Sequence, residues 1–446
     1  MLKALPRLAA ILAGVIVLCT ANLGAAQVKT TYVSLGGGAE AILYEPTVAN
    51  AKSRVGIVVF HSFSSYMNFV GCAPLASAGY RVLCGSTPFT NNQPGYKGYE
   101  DHVPAIKAGV TYVKGIAGVS KVVLIGHSMG APMMAFYQAV AEKGTGVCTD
   151  QRRIIACDTA NLKSMPKADG VIILDSHLGD ALATLTYTDP AVIDPANPGR
   201  RYQPLDMFDP ANGYKAASNS ADYSAGFKQN YLNAQAARAK VLLEDALARW
   251  NVIKSGTGTT LPDDMPFTVI GANAARLWQP DLKLLRQSKS AYLLLKGDGT
   301  RSTEVLRSVR IPSGKASDAM SYAGGALPIS VRIYLGAHAI RTNDTYNMYS
   351  NDLTGVDFES TNTSTVNMVE NLSAPLLLMT MTGHYFIRPS EIILEHAASA
   401  DKQLVGVEGA AHGITPCTAC ATTPGQFGDT VGHTFSFIDE WIAARF

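Results

Sequence analysis

The stretch VVLIGHSMGAPMM, residues 122–134, contains Gly126-His127-Ser128-Met129-Gly130, a serine with a glycine two residues away on either side. A β-branched run ends where the motif begins, and a helix-forming run follows it. A serine at such a strand-to-helix turn sits on strained backbone, and only small neighbours leave room for the turn. The chemistry this arrangement suits is nucleophilic attack on a carbonyl, with Met129 N–H at the helix start available to the oxyanion. A serine hydroxyl is a weak nucleophile until an imidazole takes its proton. Two histidines late in the chain are candidates. His412 ends the small-residue loop of LVGVEGAAHG after a strand-like run, whereas His433 directly precedes the last helical pattern, so His412 is preferred.

The imidazole needs a carboxylate to fix its tautomer. The apolar run 375–381 ends in Gly383-His384-Tyr385, with no aspartate at the turn. Three acids stay open. They are Asp175 after GVIIL, Glu391 in the first turn of the helix expected at 389–399, and Asp180. His384 and Tyr385 are expected to line a pocket or steady the catalytic group.

These residues need a scaffold that gathers strand ends on one edge. Short, almost continuously apolar runs at 54–60, 80–83, 122–125, 170–174, 375–381 and 403–407 alternate with helical patterns near 70–78, 101–117, 130–143, 389–399 and 434–445. That alternation predicts an α/β fold, a mostly parallel central sheet flanked by helices. Runs 29–35 and 39–45 around Gly36-Gly37-Gly38 predict a leading hairpin. Between the two βα series the texture changes. Pro, Asn and Asp crowd 189–213. A helical stripe runs from Phe227 to Ile253, a hairpin is expected at Asp298-Gly299, and 329–335 could supply a third strand. The segment 186–369 therefore reads as an inserted α+β cap, and 27–185 with 370–446 as the core. Trp250, Trp278 and the tyrosines of the cap are expected to wall an enclosed site.

Charged residues make up 16% of the 446, and the formal net charge is +2. Such a chain packs as a globule, and without a basic, aromatic-studded stripe it is a poor nucleic-acid binder. Lys3 and Arg7, the apolar run from Leu8 to Cys19 and the small residues before Gln27 predict a signal peptide over 1–26, cleaved near Ala26. The apolar run is too short to span a bilayer, so no stable membrane span is expected. Six cysteines remain beyond Cys19. Their spacing suggests the local pairs 72–84, 148–157 and 417–420 in an exported, oxidising setting, periplasmic or secreted. No HExxH or paired CxxC motif suggests zinc, and no cofactor is implied.

On the nucleophile segment, the VVFHSFSS segment and the His412 loop, the chain resembles the α/β-hydrolase fold family over residues 54–180 and 372–446. The resemblance implies a second oxyanion donor, Phe63 N–H, with Ser62 standing where glycine is usual. It makes His61 a structural residue at the strand end, and it fits the chain order nucleophile, acid, base. Lipase-like members take their acid from the position of Asp175, which favours that residue over Glu391 and Asp180. The activity implied is hydrolysis of a carboxylic ester, bulky or aromatic if the cap encloses the site. Amidase or acyltransferase chemistry and a non-catalytic binding role are the alternatives.

Overall fold

A computed structural model describes residues 27–446 except 90–96, 195–196, 257–263, 272–274, 315 and 317–324. The expected signal segment 1–26 lies outside the described residues. The first half runs β1 (Val28–Gly36), β2 (Ala39–Pro46), β3 (Val55–Val59), α1 (Cys72–Ser77), β4 (Arg81–Ser86), α2 (Tyr99–Gly115), β5 (Lys121–His127), α3 (Gly130–Lys143) and β6 (Gly170–Leu174). The end of the chain adds β7 (Leu376–Met381), α4 (Ile387–His396), β8 (Lys402–Val407) and α5 (Thr430–Ala443).

The strands β4, β3, β5, β6, β7 and β8 lie side by side in that order, and all pair parallel. Their residues are buried on both faces, which is why they read as unbroken apolar runs. Successive side chains point to opposite faces. Val58, Leu124, Ile173 and Leu378 enter one core with α2, α3 and α4, while Val59, Ile125, Ile172 and Leu377 enter the other with α1 and α5. The β1–β2 hairpin extends one side by antiparallel pairing to β4.

The hairpin at Asp298-Gly299 departs from expectation. Its strands, Gln287–Leu295 and Arg301–Arg307, join the main sheet, with Leu293–Leu295 parallel to Val405–Val407 of β8. The expected cap segment thus contributes the far edge of the sheet. The apolar run Leu293–Leu295 makes that edge by pairing with β8, and Glu391 on α4 braces the irregular start of the same strand. A register shift between Gln287 and Ala291 leaves two amides off the ladder. The buried Glu391 carboxylate accepts both, Lys289 N–H at 2.7 Å and Ser290 N–H at 2.9 Å, along with Tyr292 OH and Arg388. Nor does 329–335 join this hairpin. Ala326–Ser330 pairs with Pro266–Ile270, and the chain turns helical from Val331.

The helical stripe forms one long helix, Ala225–Ser255. Its N-terminal half, with Phe227 and Tyr231, packs on the main core. Its C-terminal half packs in a separate small core with Phe267, Ile329 and Tyr334. Trp250 belongs to that second core rather than to the candidate site. The cysteines pair as 72–84, 148–157 and 417–420. Among the described residues, no helix is long and apolar enough to cross a membrane.

Candidate active site

Ser128 follows β5 directly with φ 55°, a left-handed conformation that a serine adopts only under constraint. Its N–H donates to Leu174 O at 3.0 Å, tying the turn to β6. The glycines of the motif are required by contact. A Cβ on Gly126 would lie 2.5 Å from Ala131 Cα, and one on Gly130 would lie 2.4 Å from Phe60 O. The Gly130 contact sets the end of β3 against the elbow, where Ser62 Oγ donates to Met129 O at 3.3 Å.

His412 Nε2 lies 2.8 Å from Ser128 Oγ, and His412 Nδ1 lies 2.6 Å from Asp175 Oδ2. A carboxylate only accepts, so Nδ1 carries the proton and Nε2 is free to accept from the serine. Asp175 is fully buried at the end of β6, with φ 44°. Its other oxygen accepts Met381 N–H from β7 at 3.0 Å. Burial alone would raise this carboxyl, but the neighbouring His384 and His412 imidazoles reverse that and hold it well below the usual carboxylate range.

The other two acids lie elsewhere. Glu391 is committed to the sheet edge as described. Asp180 is buried 3.9 Å from His177 Nε2, and burial raises it to about 7 although the nearby Tyr99 hydroxyl pulls the other way. His433 lies on α5, facing the Gly299 turn. The structure thus brings Ser128, His412 and Asp175 together and leaves Glu391, Asp180 and His433 apart.

The turn after β7 packs against the loop that carries His412. Gly383 N–H donates to Ala410 O at 2.8 Å, and Thr382 Oγ1 accepts Gly409 N–H at 2.7 Å. A Cβ on Gly383 would meet Ala410 O at 2.6 Å, so glycine is required there. His384 stacks on His412 with ring centres 4.3 Å apart. Its Nδ1 lies 2.7 Å from Asp175 Oδ2 without the alignment of a hydrogen bond. Burial lowers His384 to about 4 against the pull of Asp175, so it is neutral near pH 7.

Asp175, His384 and His412 offer ligand atoms within 4.8 Å of one another, the spacing of a metal site. Here His412 Nδ1 is hydrogen-bonded to Asp175 Oδ2 at 2.6 Å, and His384 Nδ1 lies 2.7 Å from the same oxygen.

His127, the residue just before the nucleophile, has a role that its sequence position does not reveal. Its Nε2 lies 2.6 Å from His412 O and its Nδ1 2.6 Å from Tyr66 OH. Burial and the nearby His412 lower it to about 3, so the ring is neutral. The carbonyl can only accept, so Nε2 carries the proton and Tyr66 donates to Nδ1. His127 thereby anchors the backbone of His412. Nothing in the spacing marks it, because its partners lie 61 and 285 residues away.

Around the oxyanion position, Met129 N–H has no hydrogen-bond partner among the described residues. Phe63 N–H, expected to be equally free, instead donates to His61 Nδ1 at 2.9 Å, and Ser64 N–H donates to the same atom at 3.0 Å. His61 stacks on Tyr66 with ring centres 4.5 Å apart, and burial lowers it to about 3.

No protein-family model matches the chain, and no curated protein matches it by sequence. Solved structures do match over most of its length. The siderophore hydrolase EstB from Aspergillus fumigatus is 11% identical, covering 94% of this chain and 98% of its own, with a TM-score of 0.42. A soluble variant of monoglyceride lipase from Saccharomyces cerevisiae is 11% identical over 94% and 96%, with a TM-score of 0.41. A proline iminopeptidase from Mycobacterium smegmatis is 13% identical over 93% and 100%, with a TM-score of 0.38. The fold reading itself rests on the parallel sheet and the serine turn at the end of β5, which define an α/β-hydrolase architecture.

Proposed function

We propose that the protein is an exported serine hydrolase that cleaves a carboxylic ester. The observation that carries this reading is the chain of contacts from Ser128 Oγ through His412 to Asp175 Oδ2, at 2.8 and 2.6 Å. His412 Nε2 takes the Ser128 proton as Oγ attacks the ester carbonyl. Asp175 holds Nδ1–H and stabilises the imidazolium that forms. Met129 N–H donates to the oxyanion, and Phe63 N–H is the second donor, shared with His61 Nδ1. Collapse of the tetrahedral adduct breaks the bond to the alcohol, which leaves with the proton from His412. Water, deprotonated in turn by His412, then attacks acyl-Ser128 and releases the carboxylic acid.

Three bonded cysteine pairs support an oxidising compartment, in keeping with the leader read from residues 1–26. The test is hydrolysis of p-nitrophenyl butyrate by the purified mature chain and by Ser128→Ala. Turnover by the first alone is expected. Equal turnover by both, or none by either, rejects the reading.

A further inference from the structure

The loop after β3 and the loop that carries His412 each bring one part of the candidate site, and Tyr66 is tied to both. Its backbone is fixed to the neighbouring strand, with Tyr66 N–H donating to Gly85 O of β4 at 3.2 Å. Its carbonyl accepts Phe69 N–H at 3.0 Å. From that anchored position the ring and the hydroxyl serve different partners.

The ring supports the oxyanion side. Tyr66 stacks on His61 with ring centres 4.5 Å apart and planes 8° apart. His61 Nδ1 accepts both Phe63 N–H and Ser64 N–H, so the proton of that neutral ring sits on Nε2. One imidazole nitrogen thus aims the amide proposed for the oxyanion, and the face of Tyr66 sets the plane of that imidazole. Phe69 also stacks on Tyr66, with ring centres 5.0 Å apart.

The hydroxyl supports the base side. Tyr66 OH lies 2.6 Å from His127 Nδ1, and His127 Nε2 lies 2.6 Å from His412 O. Burial raises the Tyr66 hydroxyl, so it stays protonated and donates. That bond fixes the His127 tautomer. With Nδ1 occupied as an acceptor, the ring proton stays on Nε2 and faces the His412 carbonyl. The other tautomer would set a bare nitrogen against that oxygen.

We infer that Tyr66 is a positioning residue that couples the oxyanion donor Phe63 N–H to the base His412, the first through its ring and the second through its hydroxyl. The consequence for turnover rests on the ester-hydrolase reading, but the coupling is also testable by spectroscopy. Tyr66 touches neither Ser128 Oγ nor the oxyanion directly in this scheme. Its loss is therefore expected to lower the rate by less than removing an oxyanion donor outright, which costs about 100-fold or more.

Two substitutions separate the ring from the hydroxyl. Tyr66→Phe keeps the stack and removes the hydroxyl, whereas Tyr66→Leu removes both. With p-nitrophenyl butyrate, Tyr66→Phe is expected to lower kcat about 10-fold at nearly unchanged KM. The double variant Tyr66→Phe/His127→Phe is expected to be no slower than His127→Phe alone, because the hydroxyl acts through that ring and neither partner is then left unpaired. Tyr66→Leu is expected to lose about another 10-fold in kcat and to keep that extra loss beside His127→Phe, because this part runs through His61. Tyr66→Met takes its place should the leucine variant fail to fold. Wild-type kcat in Tyr66→Phe, or a loss that persists in full beside His127→Phe, overturns the link to the base. Equal kcat in the leucine and phenylalanine variants overturns the link to the oxyanion donor.

The second readout needs no turnover. In protein labelled with ¹⁵N-histidine, Tyr66→Phe is expected to move the His127 ring nitrogens and the His412 amide, and Tyr66→Leu to move the His61 ring as well. A wild type that cleaves no ester sinks the hydrolase reading alone, and the spectra then decide. These shifts uphold the coupling, and a His412 amide that stays in place in both variants overturns it. An active wild type whose Tyr66 variants all keep its kcat overturns the coupling while leaving the hydrolase reading intact.

Discussion

Met381 donates its backbone N–H to Asp175 Oδ1 at 3.0 Å. The strand that ends without an acid thereby orients the acid carried by its neighbour. The parallel register that sets Leu174 beside Met379 brings the two together. Asp175→Asn keeps an acceptor for Met381 but offers the imidazole the wrong partner. Turnover of p-nitrophenyl butyrate is expected to fall about 10⁴-fold, with the circular dichroism spectrum preserved. Near-normal turnover would remove Asp175 from the proposed mechanism.

Glu391→Gln is the complementary variant. Glu391 closes the gap in the sheet ladder and pairs with the buried Arg388. Its loss is expected to cost about 2–3 kcal/mol in denaturant unfolding, since a buried cation loses one of its carboxylates and two amides lose a charged acceptor. Turnover per folded molecule is expected to stay within a few-fold of wild type. A collapse of kcat in a well-folded Gln variant would move the acid assignment to Glu391.

His127 carries a prediction about positioning. In His127→Phe the ring volume stays while both hydrogen bonds go, freeing the His412 backbone. A base misplaced by about 1 Å costs up to about 100-fold in rate, and a loss of 10- to 100-fold in kcat with little change in KM is expected. Unchanged kcat would mean the His412 loop is held by its other contacts alone.

Stability should depend steeply on pH. The folded protein holds His61, His127 and His177 near 3 and His102 and His384 near 4, all lowered mainly by burial. These groups are neutral when folded and take up protons on unfolding once the pH drops below the ordinary histidine value. Each therefore contributes stability that is present above pH 6.5 and lost as pH falls toward 4. Asp180 opposes them, because its raised value makes the folded state the one that keeps a proton between about 4 and 7. The limiting slope is about 1.4 kcal/mol per pH unit for each net proton. A thermal midpoint that falls progressively from pH 7 to pH 5 is expected, and a flat or rising midpoint over that window would contradict these values.

The central strands and the serine turn were legible because burial on both faces writes itself as unbroken apolar runs, and because a strained elbow demands glycine at two fixed offsets. Asp175 stayed one of three candidates on the residues alone. Its selection depends on which strand lies beside which, and on the Met381 amide that meets it, neither of which is local. The placement of the Asp298 hairpin failed for a related reason. Its turn chemistry is local, but its strand pairs with Val405–Val407 of β8 and is braced by Glu391, each roughly a hundred residues away in sequence. His127 and the diversion of Phe63 N–H to His61 are likewise products of tertiary contact.

The proposed nucleophile can be tested by covalent capture. Treating the mature protein with diisopropyl fluorophosphate and mapping the adduct by peptide mass spectrometry should place a single label on Ser128. Labelling should be abolished in Ser128→Ala and strongly slowed in His412→Ala. Persistent ester hydrolysis with Ser128 unlabelled, or labelling of Ser128 that is indifferent to His412, would contradict the proposed mechanism.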